Sequence, residues 1–506
     1  MPVAATPSPG RRRPLSRLVL LSLLLAGCKV GPDFHAPSAP GSARYTEKPL
    51  PVATASAGVP GGLAQRLGPD RDIPGEWWDL FHSQQISALV TQALKANPDV
   101  AAAQATLRQA METRRAEQGS LFPSVSANLQ AERQRESLAA LGFGSGAATF
   151  TTISAGLNVS YTLDAFGGVR RQIEQLGAQA DYQRFEVEAT DLTLAANVIN
   201  TAINEAALQE QIDTTRDIIK ADTDALNLTK SRFQLGGVSQ VDVLQQQSLL
   251  DQQTATLPGL EKQREQARNQ LAVYLGGRPD QYATPTLSLD RLTLPEDLPV
   301  SLPSKLVEQR PDIRAYEALL HAATAQVGVA TANMLPQISL SGSYGRIGSD
   351  IPNLFTPSGI VWTIASSIAQ PIFEGGTLSA RRRAAQAAME VAAAQYSSTV
   401  NVAFQNVANA LVAIERDAET LGAALAAQKT AASSLAVARS QYAAGGGTYL
   451  NVLTAEQQDY SARLTLITAR AARFTDTVAL FQALGGGWWN RNDIDPKVAK
   501  CCGVLP

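Results

Sequence analysis

Four stretches of the chain alternate apolar and polar residues with a period of two, as a β-strand with two different faces requires. In the first, Val125, Ala127, Leu129 and Ala131 alternate with Ser126, Asn128, Gln130 and Glu132. In the second, Ile153, Ala155, Leu157, Val159, Tyr161 and Leu163 alternate with Ser154, Gly156, Asn158, Ser160 and Thr162. The third sets Ile338, Leu340 and Tyr344 against Ser339, Ser341 and Ser343; a fourth, less regular, carries Ile360, Trp362, Ile364, Ile368 and Ile372. The pattern predicts strands at about 124–133, 152–163, 337–347 and 360–372, with Leu141–Thr149 and Gly348–Gly359 as Gly/Ser/Pro-rich loops. These lengths fit the roughly 9–11 residues of a transmembrane β-strand.

The rest of the pattern is helical. Ala-rich stretches, Ile86–Gly119 and Pro311–Met334, precede the two strand pairs, and the runs Gly168–Phe233 and Gly376–Tyr442 follow them without a proline. At about 1.5 Å per residue each run extends roughly 100 Å as a helix. Val198, Ile212, Ile219, Leu226 and Phe233 fall on one seven-residue series broken by Glu205. Val400, Val407, Ile414, Leu421, Leu435 and Tyr442 fall on another, broken by Gln428. A sustained seven-residue repeat implies left-handed supercoiling against neighbouring helices. Glycine-rich reversals, Leu235-Gly236-Gly237-Val238-Ser239 and Ala444-Gly445-Gly446-Gly447-Thr448, lead into return helices over Gln240–Leu275 and Tyr449–Leu484, each ended by Gly-Gly.

The chain is therefore written twice. Asn97-Pro98-Asp99-Val100 and Phe122-Pro123-Ser124-Val125 recur 213 residues later as Arg310-Pro311-Asp312-Ile313 and Leu335-Pro336-Gln337-Ile338. The reversal and the final Gly-Gly recur at an offset of 209. Repeats are predicted over 76–278 and 305–489, with a linker at 279–304 and a tail at 490–506.

Residues 1–27 are a signal peptide, with Arg11, Arg12, Arg13 and Arg17 ahead of the apolar Leu18–Leu25. Residues 28–75 hold eight prolines and are predicted to be an extended linker. No other stretch approaches 18 apolar residues, so a membrane crossing falls to the strands. Four strands cannot close a barrel, since single-chain barrels begin at about eight, and an open edge cannot face lipid. If the strands lie in a membrane, several chains must pool them; a soluble hairpin with one solvated face would show the same alternation.

Composition narrows the function. With 43 basic and 45 acidic residues the net charge is −2, without the basic excess of a nucleic-acid binder. Loss of the signal segment's four arginines leaves 39 basic residues against 45 acidic, near −6. The 81 Ala in 506 residues point to helices packed backbone to backbone. His35, His82 and His321 are scattered, and the three cysteines are Cys28 and the tail pair Cys501-Cys502, so no multi-histidine or zinc–cysteine site and no catalytic site is expected. No phosphate loop or nucleophile elbow is present, which argues against an enzyme.

Leu25-Ala26-Gly27-Cys28 resembles the lipobox of bacterial lipoproteins, and Lys29 after it is compatible with an outer-membrane destination. Cys28-Lys29-Val30-Gly31-Pro32-Asp33-Phe34, Trp77-Trp78-Asp79-Leu80-Phe81, Leu302-Pro303 with Arg310-Pro311-Asp312-Ile313, and Leu484-Gly485-Gly486-Gly487-Trp488 bracket the mature chain. Together they resemble the TolC-type outer-membrane factors, in the OprM-like and NodT-like lipoprotein branch. The resemblance implies a mainly α fold with a membrane β-barrel: a homotrimer pooling twelve strands above a coiled-coil helical barrel. It implies a diacylglycerol and an N-linked acyl chain on Cys28, and no other cofactor. Leu235, Gly236, Gly237, Val238, Ser239, Gly445, Gly446, Gly447 and Thr448 would contact a periplasmic adaptor, itself paired with an inner-membrane transporter of the RND type. Leu450, Thr454 and Gln457 would ring the periplasmic aperture, the last two departing from the acidic and arginine residues of better-known relatives. The implied function is an exit duct passing small amphiphilic compounds such as drugs through the outer membrane. The alternatives are a factor for type I protein secretion or metal-ion efflux, and a non-conducting coiled-coil lipoprotein.

Overall fold

A computed structural model describes residues 29–491, apart from 42–43, 50, 70, 138, 140–141, 143, 282–284 and 286. The signal segment, Cys28, Cys501 and Cys502 lie outside the described residues. In chain order the elements are β1 (Arg66–Pro69), α1 (Gln84–Ala96), α2 (Pro98–Gly119), β2 (Ser124–Ser137), β3 (Ala147–Leu163), α3 (Gly168–Gln234) and α4 (Gln240–Tyr274). The second half follows as β4 (Asp297–Val300), α5 (Pro303–Gln309), α6 (Pro311–Ala332), β5 (Gln337–Gly348), β6 (Ile360–Ala369), α7 (Thr377–Ala443) and α8 (Tyr449–Ala483). Both long helices have 67 residues and both return helices 35.

The helix expected over Ile86–Gly119 is two helices. Pro98 has no N–H to donate and holds Asn97 out of the helical region, at φ −70° and ψ 128°. The Asn97 Oδ1 then accepts from the Asp99 N–H at 2.7 Å and caps α2.

The chain divides into two compact units. One draws on residues 29–36, 108–182 and 317–395, and its centre is a four-stranded antiparallel sheet in the order β2-β3-β5-β6. The β2–β3 ladder continues to Ser137 opposite Ala147, because the charged run Glu132–Glu136 still offers its backbone to the partner strand. Conversely, β6 stops at Ala369, short of Pro371, so Ile372 lies beyond the ladder. The register gathers Val125, Leu129, Leu157, Leu340, Tyr344, Trp362 and Ile364 on one face, all exposed in the single chain. The opposite face is mainly polar, with Phe150, Ile347 and Val361 as exceptions toward one end: Asn158 Nδ2 donates to Asn128 Oδ1 at 2.9 Å, and the hydroxyls of Ser339 and Ser367 meet at 2.7 Å. Within this unit the Arg171 side chain, 1% exposed, binds the carbonyls of Val30 and Gly31 and the carboxylates of Asp33 and Glu174. It pins the first described residues to α3. His321, at 3.1 Å from Glu174 and stacked on Phe34, belongs to the same cluster.

The other unit draws on residues 37–107, 183–316 and 396–491. The motifs at Trp77, Arg310 and Leu484–Trp488 meet in its core. Trp77 stacks on Phe481 at 5.3 Å, Arg310 Nη1 donates to the Ala483 carbonyl, and Trp488 Nε1 donates to the Gln309 carbonyl. Gly486 takes a left-handed φ of 68°, and a Cβ there would press on the Leu192 side chain, so the position favours glycine. Residues 37–75 and the described residues of 279–304, both expected to be linkers, belong to this unit. Here β1 pairs with β4 in parallel, and Ile73, Leu287, Leu289, Leu294 and Leu298 are buried.

Candidate functional site

The two reversals and the first turns of α4 and α8 are built on one backbone plan. Gly236 and Gly445 take φ of 76° and 78°, a left-handed conformation that glycine adopts without strain. The next N–H, on Gly237 or Gly446, reaches back to the carbonyl of Arg232 or Gln441 and closes the helix end. Arg232 lies over the Tyr442 ring at 5.9 Å, and Tyr442 packs on Tyr449 at 5.1 Å, so the two hairpins stand side by side.

Their caps differ. Ser239 accepts from the Asp242 N–H while the Asp242 carboxylate accepts from the Ser239 N–H, a reciprocal box. Thr448 makes no side-chain cap. Leu235 is 87% exposed at the first tip, and the glycines leave little else there than backbone.

Leu450, Thr454 and Gln457 lie on one exposed stripe of α8, as a spacing of four and three requires. Thr454 Oγ1 donates to the Leu450 carbonyl. The stripe continues through Ser461, Leu464 and Thr468 without a charge. No aperture forms within a single chain.

Most of the two heptad series is buried as a coiled-coil seam demands: Val198, Ile212, Leu226, Val400, Val407, Ile414, Leu421 and Leu435 lie inside, whereas Ile219 and Tyr442 are half-buried and Phe233, next to the first reversal, is 44% exposed. The interruption at Glu205 is a buried carboxylate accepting from Arg264 Nε at 2.9 Å. A second seven-residue series on α3 escapes a search for apolar residues: Thr215, Asp222 and Thr229, all buried. Thr215 and Thr229 bond the hydroxyls of Tyr460 and Tyr449 on α8, and Tyr449 donates to Gln246 of α4. Gln246 Nε2 in turn donates to the Asp222 carbonyl at 3.2 Å. Burial raises the Asp222 carboxyl to about 6, helped by Glu456 nearby and opposed by Arg439. Buried polar residues at seven-residue spacing are a signal that the sequence already carries.

Among the described residues no group of His, Cys, Asp or Glu could hold a metal ion, and no helix is long and apolar enough to cross a membrane. The model of the "outer membrane efflux protein" family matches residues 89–277 and again 302–486. The antibiotic efflux pump outer membrane protein ArpC of Pseudomonas putida is 32% identical over 481 residues, 94% of this chain and 96% of its own. The pyoverdine export outer membrane protein OpmQ of Pseudomonas putida is 32% identical over 424 residues, 81% of this chain and 88% of its own. The solved outer-membrane channel OprN has a TM-score of 0.81 and 27% identity, covering 91% of this chain and 100% of that one. Matched in both halves and nearly end to end, the chain belongs to the outer membrane efflux protein family, a protein of the outer membrane and not an enzyme.

Proposed function

We propose that three copies of the chain close a twelve-stranded barrel in the outer membrane and form the exit duct of a tripartite efflux pump. The observation that carries this is the sheet: four strands of 14, 17, 12 and 10 residues, one face apolar and one polar, with β2 and β6 as free edges. An apolar face suits lipid and a polar face a water-filled lumen, while the edges need partners that only further copies supply. The two repeats then give six similar units around the axis, their coiled-coil helices walling a periplasmic tunnel. Cys28 carries the lipid anchor, the two glycine tips meet a periplasmic adaptor, and that adaptor joins an RND-type inner-membrane transporter. Leu450, Thr454 and Gln457 form the aperture, with hydrogen bonding and apolar contact in place of an ion pair. The cargo is small and amphiphilic, a reading supported by the likeness to ArpC, the outer membrane protein of an antibiotic efflux pump. Planar-bilayer conductance on the purified oligomer, with its subunits counted, tests the reading. Discrete conductance from a trimer is expected; a non-conducting monomer overturns it.

A further inference from the structure

Along α8, from Gln457 to Ala472, a groove of about 630 Å³ opens against α4 and Thr420 of α7. That volume falls within the roughly 300–1,000 Å³ of small-molecule sites. Every side chain lining it is uncharged: amides and hydroxyls from Gln253, Thr256, Gln457, Tyr460 and Ser461 alternate with apolar groups such as Leu464. Two of these groups are already used, since the Tyr460 hydroxyl lies 3.2 Å from Thr215 and 3.4 Å from Thr256. Gln253 is different. It is 5% exposed, and its Oε1 accepts no hydrogen bond. A buried acceptor left unmade costs free energy that a donor would recover, and the soft χ3 torsion of glutamine lets the amide turn toward the groove. Gln457 belongs both to the stripe assigned to the aperture and to this lining, so the groove begins where the aperture ends.

We propose that this groove is a resting site for uncharged amphiphilic cargo bearing a hydrogen-bond donor, with the Gln253 amide as its acceptor. The inference rests on the exit-duct reading and deepens it. A charged solute would surrender hydration with no counter-charge in the lining, whereas a neutral one places rings on Leu464 and an N–H or O–H on the amides.

Three fluorescent probes on one ring system test this: N-phenyl-1-naphthylamine, its N-methyl derivative without the donor, and 1-anilinonaphthalene-8-sulfonate with an added charge. Binding is measured on the full-length oligomer in lipid nanodiscs against empty nanodiscs. A saturable component of one amine per chain is expected, about tenfold weaker for the methylated probe and absent for the sulfonate. Gln253→Leu removes the acceptor, and Gln457→Glu puts a carboxylate into the groove from an exposed position; each weakens the amine about tenfold. If Gln253→Leu does not assemble, Gln457→Glu decides. No saturable component, as when a second copy fills the groove, overturns the proposal. So does saturable sulfonate binding, equal affinity for the methylated probe, or unchanged affinity in either assembled variant. Conductance on the same samples separates the two readings. A conducting oligomer without the site loses only the site, and a non-conducting one loses the duct and the cargo role with it.

Discussion

The two long hairpins are equal in length and reverse through the same backbone motif, yet they are held by different forces. On α3, Thr215, Asp222 and Thr229 form a buried polar seam; at the same offset of 209 residues α7 carries Ala424, Ala431 and Ala438. The return helices diverge in the opposite sense. Leu453 of α8 is 7% exposed, while its counterpart Leu244 of α4 is 60% exposed. Phe474 of α8 is buried, and its counterpart on α4 is the solvated Glu265. So α8 is gripped by apolar packing along its length, and α4 by its cap, by Gln246 and by a few leucines. A twofold repeat keeps its backbone plan while its two copies exchange the means of holding it.

That contrast gives its largest expected effect at the divergent core position. Phe474→Ala leaves a cavity in a filled core and should cost about 3–5 kcal/mol, whereas Glu265→Ala should stay within about 0.5 kcal/mol. Thermal unfolding of the purified oligomer measures both, and equal losses would erase the distinction between the return helices.

The seam makes the next effect, and pH reveals it. Burial pushes the Asp222 carboxyl up to about 6 in the fold, against an ordinary value of 3.8. The folded chain thus keeps a proton that the unfolded chain has lost, so Asp222 lowers stability as pH climbs from 3.8 through about 6, with the full cost above that window. Asp222→Asn should flatten this slope, leaving stability unchanged below about pH 4 and raised by up to about 3 kcal/mol above pH 7. Ala431→Asn places the same amide on α7, where the described residues form no tyrosine–glutamine seam, and should bring no such gain. Unfolding midpoints at pH 4, 6 and 8 decide; a parallel shift at all three would remove Asp222 as the source.

What could be read from the sequence follows the range of the interactions. Alternation at Val125–Leu129 and the series from Val400 to Tyr442 report neighbours a few residues away, and those segments form strand and helix. Tyr449 and Thr229 are partners 220 residues apart, and no local pattern joins them. In the Pro-rich segments proline excludes helix without excluding burial, and β1 and β4 use extended backbone that proline tolerates at a sheet edge. Leu450, Thr454 and Gln457 fall on one face by spacing alone, but an aperture is a property of several copies. The groove beside Gln253 was not legible, because its walls come from α4, α7 and α8 at once.

The smallest expected effect lies at the caps, and it bears on the duct. Ser239 and Asp242 satisfy each other's backbone N–H groups, and Asp242 places a negative charge at the positive end of α4. Thr448 has Asn451 at the matching position, so α8 begins without that box, beside Leu450 and within two turns of Thr454. Ser239→Ala should therefore cost about 1 kcal/mol and Thr448→Ala only a few tenths. In the other direction, Asn451→Asp should supply the missing box and stabilise α8 by up to about 1 kcal/mol. Hydrogen exchange on the first-turn amides of both helices reads these changes where they occur. If Asn451→Asp slows exchange at Leu453 and Thr454 and also narrows the conductance, fraying of this turn sets the width of the aperture. If exchange slows while conductance stays the same, the turn is only a helix end and does not set the width of the duct.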